Sequence, residues 1–235
     1  RGGISIAAGI TDQLLSESAE AALAHLHARS AASGEQELLL SPQVGALVAN
    51  NAIALPFFTK SAALKVLPTE SSLSIHDDPA LAGGYGSFMR DDQGDEPVRR
   101  SLLSGESTGT SLRRDWQAER RSMPSNVLVS AGTSSLDDLV SGVDKGVLLE
   151  GALHCSVDSR AERLALLCSR GREIKKGRFT GRLFGRLLVT ADRRAFIANT
   201  QSVSDQMRSL GFRSHGIASS AHSPPWLTRA VVEGA

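Results

Sequence analysis

Aromatic side chains make up only 4% of this 235-residue chain, and cysteine occurs twice. Two thiols cannot staple a chain of this size, which excludes a disulfide scaffold and fits a reducing compartment, so a cytoplasmic location is expected. No apolar run approaches the roughly 20 residues a membrane-spanning helix needs. A signal peptide is missing from the start, and the first residue is Arg1 rather than Met, which reads as the later part of something longer. Catalytic signatures are missing as well: the sequence has no H-E-x-x-H zinc motif, no G-x-S-x-G elbow and no Walker lysine loop.

What is present suffices for a folded core, with 41% hydrophobic and 22% charged residues. The net charge of +1 conceals an asymmetry. Residues 1–159 carry twelve basic and twenty acidic residues, or −8, whereas residues 160–213 carry thirteen basic and four acidic ones, or +9. Such a basic stretch suits nucleic acid or an acidic partner. The plainer reading is a solvent face of strands paired with the acidic half, because the run lacks the interleaved aromatics of a single-strand binder.

Periodicity predicts α+β: helices at the N-terminal end followed by a mostly antiparallel β-sheet or barrel-like domain. A short strand is expected at Ile4–Ala8 and a helix from Gln13 to about Ala32, capped by Thr11 or Asp12 and burying one face through Leu14, Leu15, Ala19, Ala22, Leu23 and Leu26. Leu38–Leu40 reads as a buried strand, and Ser41-Pro42 opens a second helix that Pro56 ends. A further helical piece is expected at Thr59–Leu67. Short strands at Leu73–Ile75, Gly86–Met89, Val98–Leu103 and Val127–Ser130 precede a helix at Leu136–Val143, capped by Ser134 or Ser135. Further strands are expected at Gly146–Leu153, Ala161–Ser169, Glu173–Phe179, Leu183–Thr190 and Ala195–Asn199. A last helix from Ser202 or Ser204 to Leu210 and a closing strand at Trp226–Val232 complete the prediction.

Metal spacing fails at each histidine. His25 and His27 diverge on a helix, Asp77 and Asp78 beside His76 are turn-makers before Pro79, and His154 and Cys155 face opposite sides of a strand. Cys155 and Cys168 read as buried free thiols. His215 and His222 lack partners at ligand spacing.

The order of segments nevertheless resembles the C-terminal domain of the TldD/TldE (PmbA) metallopeptidase family. Leu38-Leu39-Leu40-Ser41-Pro42 with Gly45-Ala46-Leu47 is similar to the strand and helix that lead into that family's metal motif. Asp77-Asp78-Pro79, Gly84-Tyr85-Gly86-Ser87 and Asp91-Asp92-Gln93-Gly94 resemble its D-D…G…D-D-E-G stretch, and Arg99-Arg100 follows. Pro124–Val127, Ala131–Leu139, Gly146–Leu149 and Pro224–Leu227 resemble its later strands and helix. By this resemblance residues 1–34 close an N-terminal domain and 35–235 form the C-terminal one.

The departures set the expectation. The catalytic TldD type carries H-E-x-x-x-H, and the alignment places Asn50, Asn51 and Leu55 there. An amide cannot serve as general base, leucine cannot ligate zinc, and the zinc-ligand cysteine of that type has no counterpart in Ile217–Ser223. The resemblance therefore implies a TldE-like subunit with no catalytic or metal residue of its own, paired with a zinc-bearing TldD-like partner and acting on unstructured peptides, including leader or precursor peptides. Substrate would be held by strand pairing, with Asp91, Asp92, Asn126 and the strand Gly146, Val147, Leu148, Leu149 as docking residues. The alternative is a non-enzymatic protein using residues 160–213 on nucleic acid or an acidic partner.

Overall fold

The fold is described from a computed structural model covering residues 11–57, 71–91, 94–104, 107–108, 123–214 and 217–234. The segments expected at Ile4–Ala8 and Thr59–Leu67, with Asp92 and His215, lie outside these.

The hydrophobic strands close on themselves. β1 (Gly34–Leu40), β6 (Lys145–Val157), β7 (Arg163–Lys175), β9 (Leu187–Asp192) and β13 (Trp226–Gly234) pair in that order, and β13 returns to β1, forming a barrel without edges. Only β1–β6 is parallel in this ring. β8 (Arg178–Phe184) flanks the C-terminal half of β7, and β10 (Ser202–Val203) adds to β13. A second, open sheet runs β11 (Arg208–Ser214), β12 (Ile217–Ser223), β5 (Asn126–Val129), β2 (Ile75–Asp77), β3 (Arg100–Ser104), β4 (Ser107–Thr108). The architecture is α+β, as the sequence predicts.

Between barrel and sheet runs one central helix. α2 (Pro42–Val48) continues without a break into a π-helical segment, Ala49–Ala54, and a final turn, α3 (Leu55–Phe57). Its side chains from Val44 to Asn50 and from Ala52 to Ala54 are buried all round, the pattern of a helix covered on every side. Small residues permit this closeness. A Cβ on Gly45 would stand 2.3 Å from Trp226 Nε1 and 2.6 Å from Ser223 Oγ, so the strand-to-helix contact exists only because residue 45 has no side chain.

Several sequence expectations are corrected. α1 spans Asp12–His25, and three leucines of the face expected to be buried are exposed: Leu15 is 57%, Leu23 62% and Leu26, just past its end, 77% exposed. The strand expected at Glu173–Phe179 straddles a tight hairpin turn, where Lys176 and Gly177 hold φ of 49° and 71°. Leu183–Thr190 is likewise split between β8 and β9. Ala195–Asn199 is not a strand: α5 (Arg193–Ala198) forms there because the Asp192 carboxylate accepts the Ala195 N–H at 2.8 Å. The helix expected from Ser202 to Leu210 is β10 and the start of β11, and Gly86–Met89 is a run of turns. α4 (Leu136–Ser141) is capped by Ser135 through a reciprocal capping box with Asp138.

The tight contact at Gly45 is testable. Gly45→Ala should destabilise the fold by about 2–4 kcal/mol, since backbone and a buried indole must separate. Gly142→Ala, where the nearest atom to a new Cβ is 3.6 Å away, should change stability by about 0.5 kcal/mol or less. Urea denaturation of both variants checks the contrast.

Candidate functional site

The π-helical segment carries the positions singled out from the sequence, and its geometry follows from Pro56. A proline ring collides with the carbonyl four residues back, here Ala52, and offers that carbonyl no N–H. Widening the turn relieves the collision: Leu55 N–H donates to Asn50 O, five residues back. Proline therefore does not end the helix, as the sequence suggests, but reshapes it. The Ala52 carbonyl takes its proton from elsewhere, from Arg193 Nη1 at 3.3 Å.

Widening changes which residues share a face. Positions five apart diverge by about 140° on an α-helix, whereas a five-residue hydrogen bond stacks them nearly one above the other. Positions 50 and 55 are so placed, and the segment Ala49–Ala54 borders β5, β6 and β12. The two stretches expected to hold family metal ligands, residues 50–55 and Ile217–Ser223, are thus neighbours in space. The side chains present do not suit zinc. Asn50, 3% exposed, donates through Nδ2 to Asn51 Oδ1 at 2.8 Å, and Asn51 Nδ2 donates to Cys155 O at 3.0 Å. The Asn50 Oδ1 is buried without a hydrogen-bond partner. An amide ladder pinning helix to barrel occupies the position of a general base, and Leu55 offers no donor. Among the described residues no three His, Cys, Asp or Glu side chains converge.

Cys155 and Cys168 are free and buried, and burial pushes both thiols up to about 12, so they are not nucleophiles at neutral pH.

Asn126 occupies the centre of a second constellation. Its side chain is wholly buried, and its Oδ1 accepts Gly86 N–H at 2.9 Å and Ser220 Oγ–H at 2.7 Å. Its Nδ2 donates to Asp78 O at 2.8 Å and Ser87 Oγ at 3.0 Å. Below it the Asp77 carboxylate accepts the backbone N–H groups of Ser125 and Asn126, at 2.8 and 2.9 Å. Because the Ser220 proton goes to Asn126, His222 Nε2, 2.9 Å from the same Oγ, must be the donor there. That polarity excludes a histidine-activated serine: Ser220 has no proton to give its histidine. Asn126, expected to dock substrate, has its polar capacity spent on the loop from Asp78 to Ser87.

The remaining sequence-derived positions are placed as follows. Asp91 closes a turn through Asp95 N–H to its Oδ1 at 2.9 Å and Gly94 N–H to its carbonyl. Gly146, Val147, Leu148 and Leu149 lie in β6 between β1 and β7, with both backbone edges paired, so they cannot receive a substrate strand. In the basic stretch, Glu150 pairs with Arg170 and Arg172, Glu173 with Lys175 and Arg182, and Glu162 with Arg193 and Arg194. Six of the thirteen cations are thus held in ion pairs on the barrel wall, two of the three partner acids lying within the stretch itself.

Arg193 went unnoticed in the sequence. It is 0% exposed, its Nη2 lies 3.5 Å from Glu162 Oε2, and Glu162 also takes Arg194 Nε and Nη2 at 2.8 and 2.7 Å. Desolvation pulls its pKa down while Glu162 opposes. A signal existed in Asp192 ahead of two arginines, but the Ala52 contact spans 141 residues and leaves no local trace.

Two stability outcomes are expected. Arg193→Met should cost about 1–3 kcal/mol by leaving the Ala52 carbonyl without its donor, while Glu162 keeps Arg194; thermal and urea unfolding measure it. Burial raises the Asp77 carboxyl from 3.8 to about 6, against the backbone bonds that lower it. The folded state then binds this proton more tightly than the unfolded one, so its contribution is largest below pH 4 and declines by about 3 kcal/mol as pH rises past 6. Asp77→Asn keeps an acceptor for both N–H groups and should flatten that slope in urea titrations between pH 4 and 7.5; an unchanged slope refutes the assignment.

The PmbA/TldA metallopeptidase C-terminal domain family matches residues 99–232, more than half of the chain. Among solved structures, a proposed modulator of DNA gyrase from Bacteroides thetaiotaomicron VPI-5482 superposes with a TM-score of 0.71 at 19% identity, over 96% of this chain and 53% of that one. Another from Thermotoga maritima MSB8 gives 0.70 at 15%, over 92% and 53%. TldE from Thermococcus kodakarensis gives 0.68 at 17%, over 94% and 55%. At these identities the likeness concerns the fold, and the chain spans about half the length of each. No curated protein matches it in sequence.

Proposed function

We propose, from the premise that this chain belongs to the PmbA/TldA metallopeptidase C-terminal domain family, that it is a metal-free, TldE-like subunit of a heterodimeric zinc peptidase. One observation carries the reading. The π-helical segment keeps positions 50 and 55 stacked beside β12, yet fills them with an amide ladder and a leucine. The backbone of a two-ligand site persists where the chemistry of zinc and of water activation does not.

In this reading a TldD-like partner supplies the metal, the substrates are unstructured peptides such as leader or precursor segments, and the complex is cytoplasmic. Residues 1–34 close a preceding domain and 35–235 form the peptidase-type domain. This chain's contribution is a rigid chamber wall. The Asp77–Asn126 network holds the loop from Asp78 onward, and the turn at Asp91 presents its outer edge to substrate or partner. Two solved relatives are described as proposed modulators of DNA gyrase; a DNA-directed role here is weakened by the ion pairing of the 160–213 cations.

The test is co-expression with a TldD-type protein bearing H-E-x-x-x-H. A stable complex that hydrolyses unstructured peptides, with zinc in the partner and less than stoichiometric zinc in this chain purified alone, is expected. Stoichiometric zinc in the isolated chain, or neither complex nor activity on co-expression, rejects the reading.

A further inference from the structure

β11 ends the second sheet: it pairs residue for residue with β12 and with no other described strand. The direction of its backbone groups follows from a bond on the far side of β12. Ser220 N–H donates to Ser125 O at 3.0 Å, away from β11, so Gly211 and Ser220 form a pair that exchanges no hydrogen bonds. Alternation then turns the N–H and C=O groups of Ser209, Gly211 and Arg213 outward, and none has a backbone partner among the described residues. They form a straight row with a repeat of about 7 Å, the spacing at which a further extended chain pairs.

Edge strands are commonly blunted by bulges, prolines or a covering segment. β8 is blunted: Gly181 (φ 79°) lies within its bulge, and its end is taken by Arg29, whose N–H and C=O bond Leu183 and Gly185. β11 has an unbroken register and no proline over Arg208–Ser214. Leu210 and Phe212 pack its inner face onto the core, which keeps the row stiff, and Tyr85, 46% exposed, lies beside Gly211 on the outer face. Arg208 and Arg213 bracket the row, exposed and without an ion pair among the described residues.

We propose that the free edge of β11 is a docking strand for an extended acidic peptide segment, bound by strand addition. The charge selects the occupant. Acidic side chains on an added strand would meet both arginines, whereas a second copy of β11 would bring both arginines of each copy to one seam with no counter-charge. The surface is separate from the π-helical segment and does not depend on the subunit reading.

Because Arg208 and Arg213 point to opposite faces of the strand, fluorescence polarisation of the full chain tests this with two labelled peptides, one with two Glu five positions apart in a Val/Thr background and one with Lys at those positions. The Glu peptide should bind saturably, weaken with added salt, and lose at least tenfold in affinity in an Arg208→Glu/Arg213→Glu variant that now prefers the Lys peptide. An added strand uses only alternate amides. N-methylation of one alternate set in the Glu peptide should therefore abolish binding, and methylation of the other set should leave it intact. Absence of binding, or equal loss with both methylated sets, overturns the proposal. Concentration-dependent self-association that the double variant abolishes would assign the edge to a second copy instead and overturns it equally.

Discussion

A single buried cation ties the parts of this molecule together. Arg193 starts α5, yet its guanidinium reaches the Ala52 carbonyl in the central helix and the Glu162 carboxylate at the β6–β7 turn. Pro56 deprives the Ala52 carbonyl of its usual donor, and Glu162, which Arg194 also holds, supplies the counter-charge that a buried guanidinium needs. Glu162 itself is held at a φ of 51°, unusual for a side chain of that size, with Arg193 N–H bonding its carbonyl at 2.9 Å. The barrel, the short helix and the π-helical turn are therefore not independently adjustable. Residues 50–55 take their shape from an arginine remote in sequence.

That dependence frees the backbone shape at residues 50–55 from the identity of the side chains there. A proline-widened turn and a guanidinium prop are backbone devices, and neither requires histidine at 50 or 55. The interior still has to satisfy whatever side chains stand there. Asn50 and Asn51 do so by bonding each other and the Cys155 carbonyl, which converts a place for charge into a fastening between helix and barrel. The unpartnered Asn50 Oδ1 marks where this conversion is incomplete. On the other side of the sheet, Asn126 fastens in the same manner and fixes a loop, with Asp77 beneath it.

The legibility of these features in the sequence followed the range of the forces behind them. The buried run Leu38–Leu40, the Ser41-Pro42 helix start and the closing strand at Trp226 are local patterns, and they were readable. The resemblance to the peptidase family was readable for a similar reason, since turn residues such as Asp77-Asp78-Pro79 and Gly84–Gly86 stay in chain order. Ala195–Asn199 was misread as a strand because the helix that Asp192 caps is too short to show periodicity. Glu173–Phe179 was misread because the turn at Lys176-Gly177 interrupts an otherwise uniform strand-like composition. The leucines of α1 show the opposite failure: their spacing promises a buried face, and Leu15, Leu23 and Leu26 are exposed.

Cysteine and aromatic scarcity, the missing nucleophile and metal motifs, and the identities Asn50, Asn51 and Leu55 are properties of the sequence alone. They determined which donor and acceptor atoms stand at positions 50, 51 and 55, because donor type belongs to the residue and not to its surroundings. Tertiary structure alone decided that positions 50 and 55 come together across a π-helical turn, that Gly146–Leu149 is closed on both edges while β11 is paired on one side alone among the described residues, and that six of the thirteen cations in the basic stretch are held in ion pairs. Each of these depends on which backbone groups and charges meet across long stretches of chain. Hydrogen bonds and ion pairs act over a few ångströms in space, without regard to separation in sequence.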